Sequence, residues 1–515
     1  MRRLTRALRP MAAAALLCAL ATGCWQADMP ETEALTPIPS DAGLLETAEP
    51  QVILPEIFSL PYAPGQSLDP VSCPDGMQQT VSSLICEGLF RLNTDLEPEP
   101  WLCGSYTYDP AAWVYTFTLR EGVTFSDGSP LTGADVKATL DRARTSDRYR
   151  QRLAQVTSVS ASGNTVTVSL SGPNTGFPAL LDIPIVKSGT QDTVPVGTGP
   201  YLFTTADSAA YLVSNQSWWR GGGQPVDRIL LSEAADRDTM LYRFTSHDVQ
   251  LITADLTGTD PIAATGNVSF QDADTTTLQY IGCNVTRAPL DNAAFRSALW
   301  NGFSRTQIVS AFLSGHARPA QFPVSPCTSL YPTALEEPYS ADGFAAALAA
   351  SGVSAGRTLT LLVNQENSFK VSVAEHLAET FTDAGIPMTV QALPWAEYTA
   401  ALAAGNFDLY YGEVRLGADW DLSPLLSTGG SLNYGGWADP QTDQLLAAYA
   451  AAADRTAAME ALCAHLRTQA PVIPVCFKST SVLMQTDVVE GLTPTMAQPF
   501  YNLTECTIRL QADGT

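Results

Sequence analysis

The chain has 515 residues, of which 45% are apolar, with glycine and proline spread throughout; this composition is typical of a globular protein with two or three domains. Its formal net charge is −24, so its surface repels nucleic acid and anionic lipid, and we expect no nucleic-acid partner. The four histidines are far apart and no Cys-x-x-Cys pair occurs, so no metal-binding spacing is visible and we expect no cofactor.

The first residues have the pattern of an export signal. Residues 1–9 carry four arginines, and residues 11–20 form an apolar run that is too short to span a bilayer. Small residues, with Ala21 where leucine is more usual, then precede Cys24, an arrangement that resembles the bacterial lipobox. We expect residues 1–23 to be a signal peptide and lipidated Cys24 to anchor the protein to the outer face of the cell membrane. An ordinary secretory signal with a chance cysteine is the alternative.

Residues 24–50 contain four prolines and several acids, which predicts a flexible acidic linker between the lipid anchor and the folded body. Folded sequence is expected to begin near Val52. No later segment is apolar for long enough to cross a membrane, so the lipid anchor is the one membrane contact that we expect.

A strand, a turn and a capped helix are predicted in succession between residues 115 and 140. Apolar and polar side chains alternate through residues 115–120, as in a half-buried strand. Residues 126–130 supply turn chemistry, and Thr132 with Asp135 predicts the N-terminal cap of the helix.

Two further local patterns follow along the chain. Gly163-Asn164 separates two alternating segments, residues 156–162 and 165–171, which predicts a β-hairpin. Gly197-Thr198-Gly199-Pro200-Tyr201 predicts a defined bend between two segments. Earlier in the chain, a helix is expected over residues 80–89.

The order of these motifs resembles the bacterial extracellular solute-binding proteins of the oligopeptide, dipeptide and nickel type. The resemblance rests first on EGL at residues 87–89 and YTFTLREGVTFSDGSPLTGADV at residues 115–136. Further matches are Leu68-Asp69-Pro70, Gly197 to Tyr201, Trp218-Trp219-Arg220-Gly221, Asn284, Pro289-Leu290-Asp291, Arg296, Ala298-Leu299, Arg305, Asp439-Pro440 and Pro471 to Val475. Ser304 stands where the family has aspartate, but a Ser304–Gln307 capping box supplies the same side-chain oxygen. The resemblance covers roughly residues 51–510.

This resemblance implies a mixed α/β fold of the periplasmic-binding-protein type, with two lobes around a cleft and an extra N-terminal subdomain. Lobe I would contain residues 51–88, 196–282 and 479–515, the extra subdomain residues 89–195, and lobe II residues 283–478. The implied function is binding, not catalysis: hinge closure on a peptide or other small solute, which is then delivered to the permease subunits of an ABC importer. We expect the protein to be a monomer.

The resemblance also implies ligand-binding residues. Asp419, within Ala418-Asp419-Trp420, would pair with the terminal ammonium of a peptide, and Trp395 would line the cleft. Asp75 and Gly76, in the loop after Leu-Asp-Pro, would present backbone groups to the ligand. Arg415 is predicted from its position and not from a family motif: it lies four residues before Asp419 and would meet a carboxylate. Trp420 would lie beside Asp419. The alternatives are a solvated acid or a helix N-cap for Asp419 and core packing for Trp395.

Other functions remain open at this point. The same fold would also serve a metal chelate, an oligosaccharide, or a ligand sensor that does not transport. A hydrolase would need the Gly-x-Ser-x-Gly string at residues 352–356, but a predicted helix precedes Ser354 and a predicted strand follows it, the reverse of a nucleophile elbow. Eight cysteines follow Cys24, and we expect a mixture of buried free thiols and at most one or two disulfides, with no pairs assigned.

Overall fold

A computed structural model describes residues 54–511, except residues 75, 192–193, 263–266 and 355. The described residues belong to one compact unit that begins at Val52. The signal peptide, Cys24, the acidic linker and Asp75 lie outside the described residues, so the expectations for them stay predictions.

The strands, in chain order, are as follows: β1 (Ser59–Tyr62), β2 (Phe90–Leu92), β3 (Pro98–Pro100), β4 (Cys103–Asp109), β5 (Val114–Leu119), β6 (Val156–Ser162), β7 (Thr165–Leu170), β8 (Tyr201–Ala206), β9 (Ala209–Ser214), β10 (Arg228–Glu233), β11 (Leu251–Ala254), β12 (Val268–Cys283), β13 (Ala317–Pro319), β14 (Leu359–Asn364), β15 (Met388–Leu393), β16 (Leu409–Arg415), β17 (Val472–Gln485), β18 (Val489–Glu490) and β19 (Thr507–Ile508).

The α-helices are α1 (Met77–Ile85), α2 (Gly133–Ala143), α3 (Arg237–Thr245), α4 (Ala293–Trp300), α5 (Arg305–Phe312), α6 (Ala341–Ala350), α7 (Ser368–Asp383), α8 (Trp395–Ala403), α9 (Ser423–Leu426), α10 (Pro440–Ala451) and α11 (Arg455–Gln469). Short 3₁₀ helices occur at Phe177–Leu180 and Thr333–Leu335.

A seven-stranded sheet forms the centre of the fold, in the order β11-β17-β12-β16-β14-β15, with β13 paired to β17. Its two long strands, β12 and β17, run antiparallel along most of their length. The pairing register shifts between Asp274 and Leu278, where β12 carries extra residues opposite Lys478. The two long strands therefore connect residues of the predicted lobe I to residues of the predicted lobe II.

Two four-stranded sheets, besides the two-stranded pairs β2-β3 and β18-β19, lie in the part of the chain predicted as lobe I and its subdomain. One has the order β1-β10-β9-β8 and the other β4-β5-β7-β6. The predicted alternation is confirmed in β5, where Tyr115, Phe117 and Leu119 are buried in an apolar core shared with β7 and α2. The predicted hairpin is confirmed as β6 and β7. The exact lobe boundaries stay a prediction.

The predicted cap of α2 is confirmed. The Asp135 carboxylate accepts hydrogen bonds from the backbone N–H of Thr132 at 3.1 Å and from its hydroxyl at 2.6 Å. Ser304 likewise caps α5, because its hydroxyl accepts the backbone N–H of Gln307 at 3.2 Å. The serine therefore does at this helix start what the aspartate of the family pattern would do.

The boundaries of α1 differ from the sequence prediction. The helix ends at Ile85 and not at Leu89, since the chain becomes extended at Cys86. The extended segment is held by hydrogen bonds to other parts of the chain: the Gly199 N–H donates to the Ile85 carbonyl and the Ile185 N–H to the Glu87 carbonyl, both at 2.8 Å. These bonds satisfy carbonyl groups that a continued α-helix would satisfy within itself.

Three separate sequence motifs meet at the buried side chain of Glu87. Its carboxylate accepts hydrogen bonds from the Thr198 hydroxyl at 2.8 Å and from the indole N–H groups of Trp101, Trp218 and Trp219 at 2.9, 3.1 and 2.8 Å. Burial raises the pKa of Glu87, and the four hydrogen bonds oppose that rise. The EGL, Gly-Thr-Gly-Pro-Tyr and Trp-Trp-Arg-Gly motifs therefore form one hydrogen-bonded cluster.

Gly197 allows its segment to pass directly over the end of α1. A Cβ at Gly197 would lie 2.0 Å from the carbonyl oxygen of Ile85, and backbone atoms of a helix end cannot move aside like a flexible side chain. We expect Gly197→Ala to lower the free energy of unfolding by about 2–3 kcal/mol, the upper part of the usual overpacking range. Urea denaturation measures this, with Gly222→Ala as the control, since a Cβ there meets open space. Equal stability of the two variants would contradict the packing argument.

All eight cysteines in the described residues are free thiols, so these residues show the expected free thiols and none of the one or two disulfides that the expectation also allowed. Most of them are buried in apolar surroundings. No helix in the described part of the chain is long and apolar enough to cross a membrane.

Candidate functional site

A cavity of about 1070 Å³ lies between the segments predicted to form the two lobes. Its wall combines α1, residues 148–155, the chain from the end of β16 to α9, and residues 495–499. The volume lies at the upper end of the range for small-molecule sites, roughly 300–1,000 Å³. It is therefore large enough for a short peptide or a chelate.

The long central strands form one side of this cavity. Thr276 of β12 and Thr480 of β17 contribute to the wall. The hydroxyl of Thr276 donates to the carbonyl oxygen of Leu416 at 2.7 Å, and the Leu416 N–H returns a bond to the Thr276 carbonyl at 3.0 Å. This pair of bonds fixes the chain after β16 against the central strand, so residues 417–419 and Asp421 lie at the cavity.

One face of α1 forms another part of the wall. Gly76, Gln79, Thr80 and Ser83 line the cavity at helical spacing. Gly76 therefore lies where the sequence predicted it. Its φ of +79° is a left-handed conformation that glycine adopts without strain, and it lets the loop turn into the helix.

Three arginines line the cavity. Arg152 forms an ion pair with Asp182, and burial lowers the pKa of Arg152 to about 10. Arg148 donates to the carbonyl oxygen of Cys73 at 2.6 Å. Arg415, the last residue of β16, is exposed to the cavity and has no hydrogen-bond or ion-pair partner within the described ranges.

Asp419 lines the same cavity and is only 6% exposed. One carboxylate oxygen accepts the Asn174 amide at 2.8 Å, while the other has only the Asp421 N–H at 3.5 Å. Burial raises the pKa of Asp419, and the Asn174 hydrogen bond opposes that rise. In the described part of the chain no basic side chain is within ion-pair distance of this carboxylate. It is therefore neither a solvated loop acid nor a helix cap.

The backbone of Asp419 is held separately from its side chain. The carbonyl oxygen of Asp419 accepts the Tyr449 hydroxyl at 3.0 Å and the guanidinium of Arg455. These bonds come from α10 and α11, so helices of the predicted lobe II fix the position from which the carboxylate meets the cavity.

The structure places neither predicted tryptophan in the cavity wall. Trp395 begins α8, is 58% exposed and stacks on Tyr398 at 5.8 Å, so it is neither a cavity residue nor a core residue. Trp420 is 1% exposed and packs edge-on against Phe477. Its left-handed backbone, with φ of +55°, turns the chain so that Asp419 faces the cavity and Trp420 enters the core.

Sequence reasoning missed several polar residues of the wall. Arg148 and Arg152 are four residues apart, as are Gln151 and Gln155, but this segment forms turns and not a regular helix, so a helical pattern would not have identified its polar face. Asn174 had no sequence signal either, because its importance depends on contact with Asp419, which is 245 residues away.

The serine motif is not part of the cavity wall. Helix α6 precedes Ser354 and strand β14 follows it, so the predicted helix-to-strand order is confirmed. Among the residues that the structure describes, no group of three or more His, Cys, Asp or Glu side chains is placed to hold a metal ion.

Comparison with known proteins agrees with this architecture. The model of the middle region of bacterial extracellular solute-binding proteins, family 5, matches residues 97–435. A glutathione-binding protein of Salmonella typhi is 26% identical over 387 residues, covering 70% of this chain and 76% of the relative.

Solved structures agree as well. A nickel ABC transporter protein of Bacillus halodurans has a TM-score of 0.73 at 20% identity, covering 88% of this chain and 99% of that one. The oligopeptide-binding protein of Bacillus subtilis, solved with a nonapeptide, has a TM-score of 0.59 at 19% identity over 89% of this chain and all of its own. The expected two-lobed fold is confirmed, and the chain belongs to the bacterial extracellular solute-binding proteins, family 5.

Proposed function

We propose that this protein captures a peptide-like solute carrying both an ammonium group and a carboxylate, and delivers it to an ABC importer. The observation that carries the proposal is the presence, in one cavity, of a buried carboxylate without a cation, Asp419, and an unpaired guanidinium, Arg415. Similarity to proteins named for glutathione, oligopeptides and nickel supports the same class of ligand.

The carboxylate of Asp419 favours a cationic ligand group. A buried ionised carboxylate without a positive partner is costly, and one hydrogen bond from a neutral amide compensates only part of that cost. A ligand ammonium at the second carboxylate oxygen would supply charge and hydrogen bonds together.

The arginines favour an anionic ligand group. Arg152 is paired with Asp182 and Arg148 donates to the Cys73 carbonyl, whereas the planar donors of Arg415 are available for a ligand carboxylate. A solute with several carboxylates, such as glutathione or a metal chelate, would contact more of the arginines in the cavity wall than a simple peptide would.

Capture would proceed by closure of the two lobes about β12 and β17, the strands that run between them. Lipidated Cys24 would keep the monomeric protein at the outer face of the cell membrane, near the permease. The serine motif lies outside the cavity, so we expect the solute to be released intact.

Calorimetry with chemically matched ligands tests the proposal. We expect glutathione or trialanine to bind, and N-acetyl and C-terminal amide forms to bind at least tenfold more weakly, because each removes one charged partner. The Arg415→Gln variant should lose affinity for the free acid while binding the amide as the wild type does. The complex of nickel with histidine is the calorimetric probe for the alternative ligand, a metal chelate. Equal affinity for blocked and unblocked forms would contradict a zwitterionic ligand.

A further inference from the structure

The loop between β7 and the 3₁₀ helix at Phe177–Leu180 contacts the opposite side of the cleft through three consecutive residues. Asn174 donates to the Asp419 carboxylate at 2.8 Å, and the Thr175 N–H donates to the Ala450 carbonyl at 3.0 Å. The predicted boundaries place this loop in the subdomain of lobe I and its partners in lobe II. We call the contact of residues 174–176 with these partners the latch.

Asn174 is held in place by its own side of the latch. Its backbone carbonyl accepts the Tyr115 hydroxyl at 2.8 Å, and its side-chain oxygen accepts the Gly176 N–H at 3.0 Å. The side-chain amide donates to Gln155 at 3.1 Å as well as to Asp419. The donor that meets Asp419 is therefore preorganised, which lowers the entropy lost when the contact forms.

Gly176 lies against the side chain of Arg455. A Cβ at this position would lie 2.6 Å from Nη2 of Arg455, the guanidinium that binds the carbonyl oxygen of Asp419. A larger residue at position 176 would therefore displace the end of this flexible side chain. The latch consists of contacts within the chain itself, so it can be tested without a solute.

We propose that Asn174 is a positioning residue that couples Asp419 to lobe closure. The proposal deepens the proposed function, since Asp419 would then present one oxygen to the ligand while the other holds the lobes together. Loss of the latch would shift the unliganded protein toward the open state, by about tenfold in the open–closed ratio for one hydrogen bond to a charged group.

The charges around Asp419 make an acidic replacement of Asn174 informative. Asp421 on the same loop is negative, whereas Arg455 on α11 and Arg152 across the cavity are positive; Tyr449 and Tyr115 complete the surroundings. These groups are unchanged in an Asn174→Asp variant. The new carboxylate would repel Asp419 at neutral pH, but at acid pH the pair would share one proton and the contact would return.

Small-angle scattering from the unliganded full chain tests the latch. We expect the two latch variants, Asn174→Asp and Asn174→Ala, to increase the radius of gyration at pH 8, with no change for Gly172→Ala, since a Cβ at Gly172 of the same loop meets open space. At pH 5 the radius of Asn174→Asp should return to that of the wild type, while Asn174→Ala, which has no donor to recover, should stay expanded. Circular dichroism confirms that each variant is folded.

Two results would overturn the proposal. One is an equal radius for wild type and both latch variants at pH 8; the other is an Asn174→Asp radius that does not fall at pH 5. Neither measurement uses a ligand, so a failure of the zwitterionic-solute proposal would leave the latch result standing, and the reverse also holds.

Discussion

Replacement of Asp419 by asparagine is expected to weaken binding of an ammonium-bearing solute such as glutathione or trialanine by about 1.5 to 3.5 orders of magnitude. The physical reason is that closure dries the ion pair, and truncating one member of such a pair costs ~2–5 kcal/mol. Calorimetry with free and N-acetylated trialanine on both proteins forms a double-mutant cycle. A coupling energy of zero would remove Asp419 from the ammonium site.

The same variant should not lose stability. Because burial raises the pKa of Asp419, its contribution to folding is present at low pH and is lost as the pH rises through the raised value. Asparagine carries no charge and still accepts the Asn174 hydrogen bond, so the variant should gain stability relative to the wild type between pH 4 and pH 8. Urea denaturation at both pH values checks the sign, and a relative loss at pH 8 would contradict it.

Replacement of Glu87 by alanine is expected to lower the free energy of unfolding by about 4 kcal/mol or more. Four donors would lose their acceptor in the protein interior, and each unsatisfied buried group costs about 1–3 kcal/mol. Glu87→Gln keeps one acceptor oxygen and should be intermediate. Exposed Glu121→Ala is the control and should change stability by less than about 0.5 kcal/mol.

The result also bears on why these motifs occur in the sequence. A loss for Glu87→Ala no larger than that of the control would mean that the cluster around Glu87 is incidental to folding. A large loss would show that EGL is needed for the contacts it makes with Thr198, Trp218 and Trp219, and not for the shape of its own segment.

Local structure could be predicted from the sequence because its causes are local. The alternation in β5, the caps of α2 and α5 and the β6–β7 hairpin each depend on residues within a few positions of one another. The cluster at Glu87 could not be predicted from the sequence, since its hydrogen bonds join residues up to 132 positions apart. The motifs were visible separately, but nothing in their spacing indicates that they meet.

The cavity was predictable only in part, for the same reason. Asp419 and Gly76, which the resemblance implied, and Arg415, which its position suggested, lie in the cavity wall. Trp395, in contrast, is on the surface and Trp420 is in the core. The left-handed backbone at Trp420 decides which of two neighbouring side chains, Asp419 or Trp420, meets the cavity. A tryptophan in the sequence does not predict that backbone conformation. Asn174 could be identified only from its contact with Asp419 in the folded structure.

Whether the cavity binds a zwitterionic solute is tested most directly by native mass spectrometry of the purified full chain, followed by release and fragmentation of any bound molecule. We expect one small molecule per chain, carrying both an amine and a carboxylate, which is strongly depleted in Asp419→Asn and in Arg415→Gln. A bound neutral sugar, or a solute retained equally by wild type and both variants, would contradict this account of the site.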